Sequence, residues 1–132
     1  LEAGRVREAL RRLRRGEWVA LFPEGEMRYP GPLGPLREGA NWLARKAGVP
    51  LLPVALRVVL RGYEHPEAFL WVGRPLPPGG DLGRALGGLL QALDALLAKT
   101  HPREVPEGFR EVLRGRRSLA ERVLPLVRLL RP

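Results

Sequence analysis

Apolar residues recur along this chain with two alternating periods. In residues 2–15, Ala3, Val6, Leu10 and Leu13 fall three or four apart with arginines on the other face. That spacing predicts an amphipathic helix, closed by Gly16. Residues 18–22 (WVALF) form a short apolar run that reads as a buried strand. Residues 23–35 hold four prolines and three glycines and predict a loop. Ala40, Leu43, Ala44 and Ala47 then share a helical stripe that ends at Gly48. Residues 49–60 (VPLLPVALRVVL) return to a strand pattern, with Pro53 excluded from the centre of a fully paired strand. A further strand is predicted over 68–72, followed by a Pro/Gly turn through Gly80. Asp81 caps a long helix whose Leu82, Leu86, Leu89, Leu93, Leu96 and Leu97 face inward.

This order of strand, helix, strand, strand, helix predicts an α/β fold. The sheet is expected to be mixed and partly parallel, flanked by helices and incomplete at its N-terminus. The first helix is expected to pack its apolar face on the sheet. Beyond residue 100 the chain becomes arginine-rich and punctuated by proline. Ser118-Leu119-Ala120-Glu121 matches a capping box that would start a last helix, and Pro125 would kink or shorten it. The expected division is an α/β unit over 1–100 and a basic helical tail over 101–132.

Composition narrows the function classes. A hydrophobic fraction of 45% with 28% charged residues fits a globular chain rather than a disordered one. The absence of cysteine removes disulfides, thiolate metal sites and a cysteine nucleophile. Two histidines without cysteine argue against a dedicated metal site. No apolar run reaches the roughly 18 residues that a membrane-crossing helix needs. The formal net charge is +9, and residues 1–16 and 101–132 each contribute +4, leaving +1 for the middle. Two basic ends around a near-neutral centre suit an anionic surface, either lipid headgroups or nucleic acid.

The chemistry-bearing stretch runs from Leu21 to Leu56 (LFPEGEMRYPGPLGPLREGANWLARKAGVPLLPVAL). A strand ending at Phe22 would deliver Glu24, Glu26 and Arg28 to a sheet edge. Ligands of open α/β sheets bind at the carboxyl ends of strands. Gly25 allows close backbone approach, and Arg28 offers a planar fork suited to phosphate. Read from the residues alone, an ordinary polar loop with solvated carboxylates fits equally.

Four blocks in this stretch and just beyond it carry a resemblance. Phe22-Pro23-Glu24-Gly25 resembles the F-P-E-G block of the lysophosphatidic acid and glycerol-phosphate acyltransferases. Leu36-Arg37-Glu38-Gly39-Ala40 resembles their aromatic-basic-x-Gly-Ala block. Val49-Pro50-Leu51-Leu52-Pro53-Val54 and Val72-Gly73-Arg74-Pro75-Leu76 are similar to the two blocks that follow. The resemblance covers about residues 1–98. It implies an enzyme moving a fatty acyl group from acyl-CoA or acyl carrier protein to a lysophospholipid or glycerol phosphate, with no cofactor. It further implies an acceptor site shaped by Phe22, Pro23, Glu24, Gly25, Glu26 and Arg28, with Pro50 and Pro53 in the fourth block. The family's phosphate-contacting arginine stands two positions after the glycine, where this chain has Met27; Arg28 follows one place later.

The family's base is a histidine with an aspartate five positions on. Here Leu70 follows His65 and Pro106 follows His101 at that distance, so neither histidine forms the dyad. Both read as surface-loop residues. The dyad belongs before the helix that begins near Leu1, and the chain is accordingly expected to be the C-terminal portion of a longer protein, inactive alone. Lipid substrates imply a peripheral position on the cytoplasmic face of a membrane. Arg116, Arg117, Arg122 and Arg128, beside Leu119, Val123 and Leu126, would make the contact. Two rivals remain: a non-catalytic membrane-surface module with the same fold, and a basic nucleic-acid-binding domain. The second ranks last, because its arginines lack interleaved aromatics and no recognised motif is present.

Overall fold

The computed structural model describes residues 3–26, 28, 29, 31–116, 118, 119, 122 and 123. Its elements are α1 (Ala3–Arg14), α2 (Gly39–Ala47), β1 (Val54–Val59), β2 (Glu67–Val72) and α3 (Leu82–Lys99). Helix α2 stops because Gly48 takes φ +66°, turning its N–H back onto the carbonyls of Ala44 and Arg45. Helix α3 starts at Asp81, whose Oδ1 accepts from Arg84 N at 3.0 Å.

The two strands pair antiparallel, with Val54 opposite Val72 and Val59 opposite Glu67. This corrects the expectation of a partly parallel sheet among the described residues. Only residues 60–66 join the strands, and a parallel crossover needs a dozen or more residues. Pro53 is buried immediately before β1, where its carbonyl accepts from Gly73 N at 2.8 Å and no N–H is required of it. The ladder resumes at one bridge between Leu51 and Leu76. A Cβ on Gly73 would come within 2.7 Å of Leu89 Cδ1 and 3.0 Å of Pro53 Cγ, so close packing accounts for glycine here.

Residues 18–22 are a second correction. They form no strand, and Trp18 and Phe22 are 85% and 81% exposed. Apolar side chains make a strand only where a neighbour accepts the backbone ladder, and no described segment does so here. Helix α1 also departs from expectation. It packs against α2 rather than the sheet, and its Val6, Leu10 and Leu13 stay half-buried.

Among the described residues, buried side chains gather in two clusters. Ala55, Phe69, Leu90 and Leu93 lie between the sheet and α3, while Ala40, Leu82 and Leu86 join α2 to α3. Helix α3 buries Leu82, Leu86, Leu90 and Leu93. Leu89, Leu96 and Leu97 sit half-buried on the flanks of the stripe, whose centre includes Leu90. Beyond α3, Pro106 is buried, and Phe109 meets Phe69 and Trp71 edge-on at 5.8 Å. Leu119, Arg122 and Val123 are helical, whereas Ala120, Glu121 and Pro125 of the expected last helix lie outside the described residues.

Candidate acceptor-loop site

Residues 23–37 leave and return to the same place. The amide of Arg37 donates to Pro23 O at 2.8 Å, which closes the loop. Inside it, Glu24 Oε1 accepts from the backbone N–H of Gly34 at 2.9 Å. Leu33 packs against both core clusters and anchors the loop to the fold. Gly25 has φ +70°, and a Cβ there would lie 2.5 Å from Arg37 Nε. The Arg37 side chain thus passes directly over Gly25. Two of the blocks singled out in the sequence are brought into contact by this closure, and the loop holds its shape without a strand leading into it.

Arg28 lies over Gly34, which offers no side chain to obstruct it. Its Nε and Nη2 donate to Glu26 Oε1 at 3.0 and 2.8 Å. That hydrogen bond, and then the charge of Arg28, hold the Glu26 carboxyl below its usual range. Both side chains are about half exposed, so the pair is open to exchange with a solute anion.

A residue that the sequence reading did not select supports the loop from beneath. Arg57 donates from Nε and Nη2 to Asp94 of α3 at 2.7 and 2.9 Å, and from Nη2 to Gly31 O at 2.9 Å. The hydrogen bond to Asp94 raises the Arg57 pKa despite burial, and the same bond lowers that of Asp94. One guanidinium thereby ties β1, α3 and the loop together. Its signal in the sequence was a single charge inside the apolar run VALRVV, since arginine is rarely buried unpaired.

Two hollows flank the loop. A cleft of 930 Å³ opens between it and α3, with Arg37, Asn41, Arg57, Gly87 and Gln91 on its walls. A smaller one of 160 Å³ joins Glu24, Arg28 and Tyr29 to Leu56 and Val58 of β1. Glu24, Gly25, Glu26 and Arg28 thus gather on one loop. Phe22 points into solvent at its start, Pro23 is half-buried, Pro50 is exposed, and Pro53 is buried in the sheet packing. His65 and His101 are exposed loop residues. Among the described residues there is no cluster of three or more metal-ligating side chains.

The Acyltransferase family model matches residues 2–57. A 1-acyl-sn-glycerol-3-phosphate acyltransferase of Pseudomonas aeruginosa is 32% identical over 98 residues, covering 67% of this chain and 37% of that protein. A chloroplastic 1-acyl-sn-glycerol-3-phosphate acyltransferase of Brassica napus is 37% identical over 51 residues, 39% of this chain and 15% of that protein. An N-acylphosphatidylethanolamine synthase of Arabidopsis thaliana is 38% identical over 77 residues, 55% of this chain and 26% of that protein. The chain therefore spans well under half the length of the curated relatives it matches. No solved structure gives a significant match. With the F-P-E-G and basic-x-Gly-Ala blocks folded into one closed loop inside the matched region, the chain belongs to the glycerolipid acyltransferase family.

Proposed function

We propose that the full-length protein transfers a fatty acyl group from acyl-CoA or acyl carrier protein to a hydroxyl of a lysophospholipid or glycerol phosphate, and that residues 23–37 receive the acceptor's phosphate. The observation that carries this reading is the half-exposed Arg28–Glu26 pair on a loop pinned at Glu24, Arg37 and Arg57. A phosphate dianion presents more charge and more acceptor oxygens than Glu26, and a guanidinium fork pairs with it in two-point geometry. Arg28 would exchange one anion for the other while the pinned backbone stays in place.

In this reading the acceptor hydroxyl attacks the thioester carbonyl. A histidine with its aspartate partner, supplied from outside these residues, takes the hydroxyl proton, and the thiolate leaves. His65 and His101 do not replace that dyad, and the chain alone transfers nothing. The protein would work as a peripheral protein at the cytoplasmic face of a membrane. Exposed Arg116 and Arg122 support this reading, while Arg117 and Arg128 lie outside the described residues. No helix among the described residues is long and apolar enough to cross a membrane.

The test is thiol release from an acyl thioester by the full-length protein, with lysophosphatidic acid and glycerol 3-phosphate as acceptors. Arg28→Ala is expected to raise KM for the acceptor by about tenfold, the loss of one charge-assisted contact, with a smaller change in kcat. An unchanged KM would remove the loop from the acceptor site. Activity surviving replacement of the dyad histidine would refute the mechanism. Salt-sensitive sedimentation with anionic vesicles tests the membrane position, and its absence would refute that part.

A further inference from the structure

Glu26 and Arg28 stand two residues apart on a loop closed between Pro23 and Arg37, so neither can move far from the other. Both hydrogen bonds from the guanidinium converge on Glu26 Oε1, and Oε2 has no partner among the described residues. The two side chains form a cation and an anion side by side at the surface, 43% and 53% exposed. Glu24, the other carboxylate of the loop, is committed to the Gly34 N–H. Arg37 attracts the Glu26 carboxyl more weakly than Arg28 does and forms no ion pair with it, so it does not stand in for Arg28.

When Arg28 turns to an acceptor's phosphate, Glu26 loses its partner and stays beside a bound anion. Against a dianionic phosphate that carboxylate is an unpaired like charge, which opposes binding. A phosphodiester carrying an ammonium group two methylenes away resolves both charges at once. Its phosphate pairs with the Arg28 fork and its ammonium with Glu26. One ion pair in the protein and one in the headgroup thereby become two across the contact. A primary ammonium fits this arrangement, because it donates N–H bonds that a carboxylate accepts. A quaternary amine is held by a cage of aromatic faces, and the one aromatic side chain of the loop is Tyr29, 97% exposed.

We infer that Glu26 is a specificity-determining residue that reads the headgroup's ammonium, and that the preferred acceptor is a zwitterionic lysophospholipid of the phosphoethanolamine class. The inference rests on the reading that Arg28 receives the acceptor's phosphate. It alters no step of the transfer: the acceptor hydroxyl still attacks the thioester carbonyl and the thiolate leaves. The amine, held as ammonium by Glu26, keeps its proton and has no lone pair with which to compete for the acyl group.

The test compares kcat/KM of the full-length protein for lysophosphatidylethanolamine and lysophosphatidic acid of one chain length, in the same mixed micelles. Wild type is expected to favour lysophosphatidylethanolamine and to form only an ester. Glu26→Gln keeps the shape and removes the charge. It should lower kcat/KM for lysophosphatidylethanolamine by about fivefold, the contribution of one half-exposed ion pair, and raise it for lysophosphatidic acid. Glu26→Asp should keep the wild-type order of preference, and Arg28→Ala should weaken both acceptors. A wild-type preference for lysophosphatidic acid would overturn the inference, as would a Glu26→Gln variant that changes both acceptors by the same factor. Either result leaves the Arg28 reading in place. An amide product from lysophosphatidylethanolamine also overturns the inference. Arg28→Ala without effect on either acceptor refutes the phosphate reading, and this inference with it.

Discussion

Arg57 is the residue through which the loop geometry can be tested most directly. Arg57→Met keeps the length of the side chain and removes three hydrogen bonds, two to Asp94 and one to Gly31 O. Arg57 is 17% exposed and Asp94 50%. The pair therefore deserves less than the full value of a buried charged hydrogen bond, because the orphaned Asp94 is rehydrated at little cost. Hydrogen bonds to charged groups contribute about 1.5–3 kcal/mol when buried, and exposed ion pairs about 0–1. An intermediate value of about 2 kcal/mol is expected for Arg57→Met and about 1 kcal/mol for Asp94→Asn. In a domain of this size 2 kcal/mol lowers Tm by roughly 6–10 °C. The double variant should cost less than the two singles together, by about 1 kcal/mol of coupling.

The pH dependence has a fixed sign. Asp94 has a folded pKa below its unfolded one, so its stabilisation is present above the ordinary aspartate range and is lost as pH falls through the folded value. Wild type should therefore lose stability in acid more steeply than Asp94→Asn. The assay is urea unfolding across a pH series, with hydrogen exchange at Gly34 and Arg37 reporting on the loop. Faster exchange at those amides in Arg57→Met, at denaturant concentrations below global unfolding, is the expected local result. Strict additivity of the two substitutions, or loop amides that do not respond, would refute the claim that Arg57 pins the loop.

Substitutions at four further positions separate other contributions. Gly25→Ala and Gly48→Ala both force a side chain into left-handed backbone, at about 1–2 kcal/mol. Only Gly25 faces Arg37, so only Gly25→Ala should also speed hydrogen exchange at the Arg37 amide; equal exchange in both variants would deny that contact. Leu93 is 0% exposed, and Leu93→Ala should cost about 2–5 kcal/mol in urea unfolding, with a loss below 1 kcal/mol placing the core elsewhere. Asp81→Ala removes the cap on Arg84 N and should cost about 1 kcal/mol, with Asp81→Asn recovering most of it. Failure of that recovery would indicate a role beyond capping.

The sequence by itself determined helices α1, α2 and α3 and the family motifs of the loop. Helical periodicity is set within a few turns, so α1, α2 and α3 were legible to within a residue or two, together with the Gly48 stop and the Asp81 cap. The F-P-E-G and basic-x-Gly-Ala blocks were legible because their residue types are local and specific. What each apolar surface packs against was decided only in three dimensions. Residues 18–22 and β1 have equally strand-like compositions, yet β1 has β2 beside it and residues 18–22 have no strand partner among the described residues. The direction of pairing was likewise a tertiary result, fixed by a connection too short to cross over. The role of Arg57 joins residues 31, 57 and 94, and no periodicity in one segment encodes a contact among three. A side chain's character belongs to its own position, but its partner depends on how distant segments are brought together.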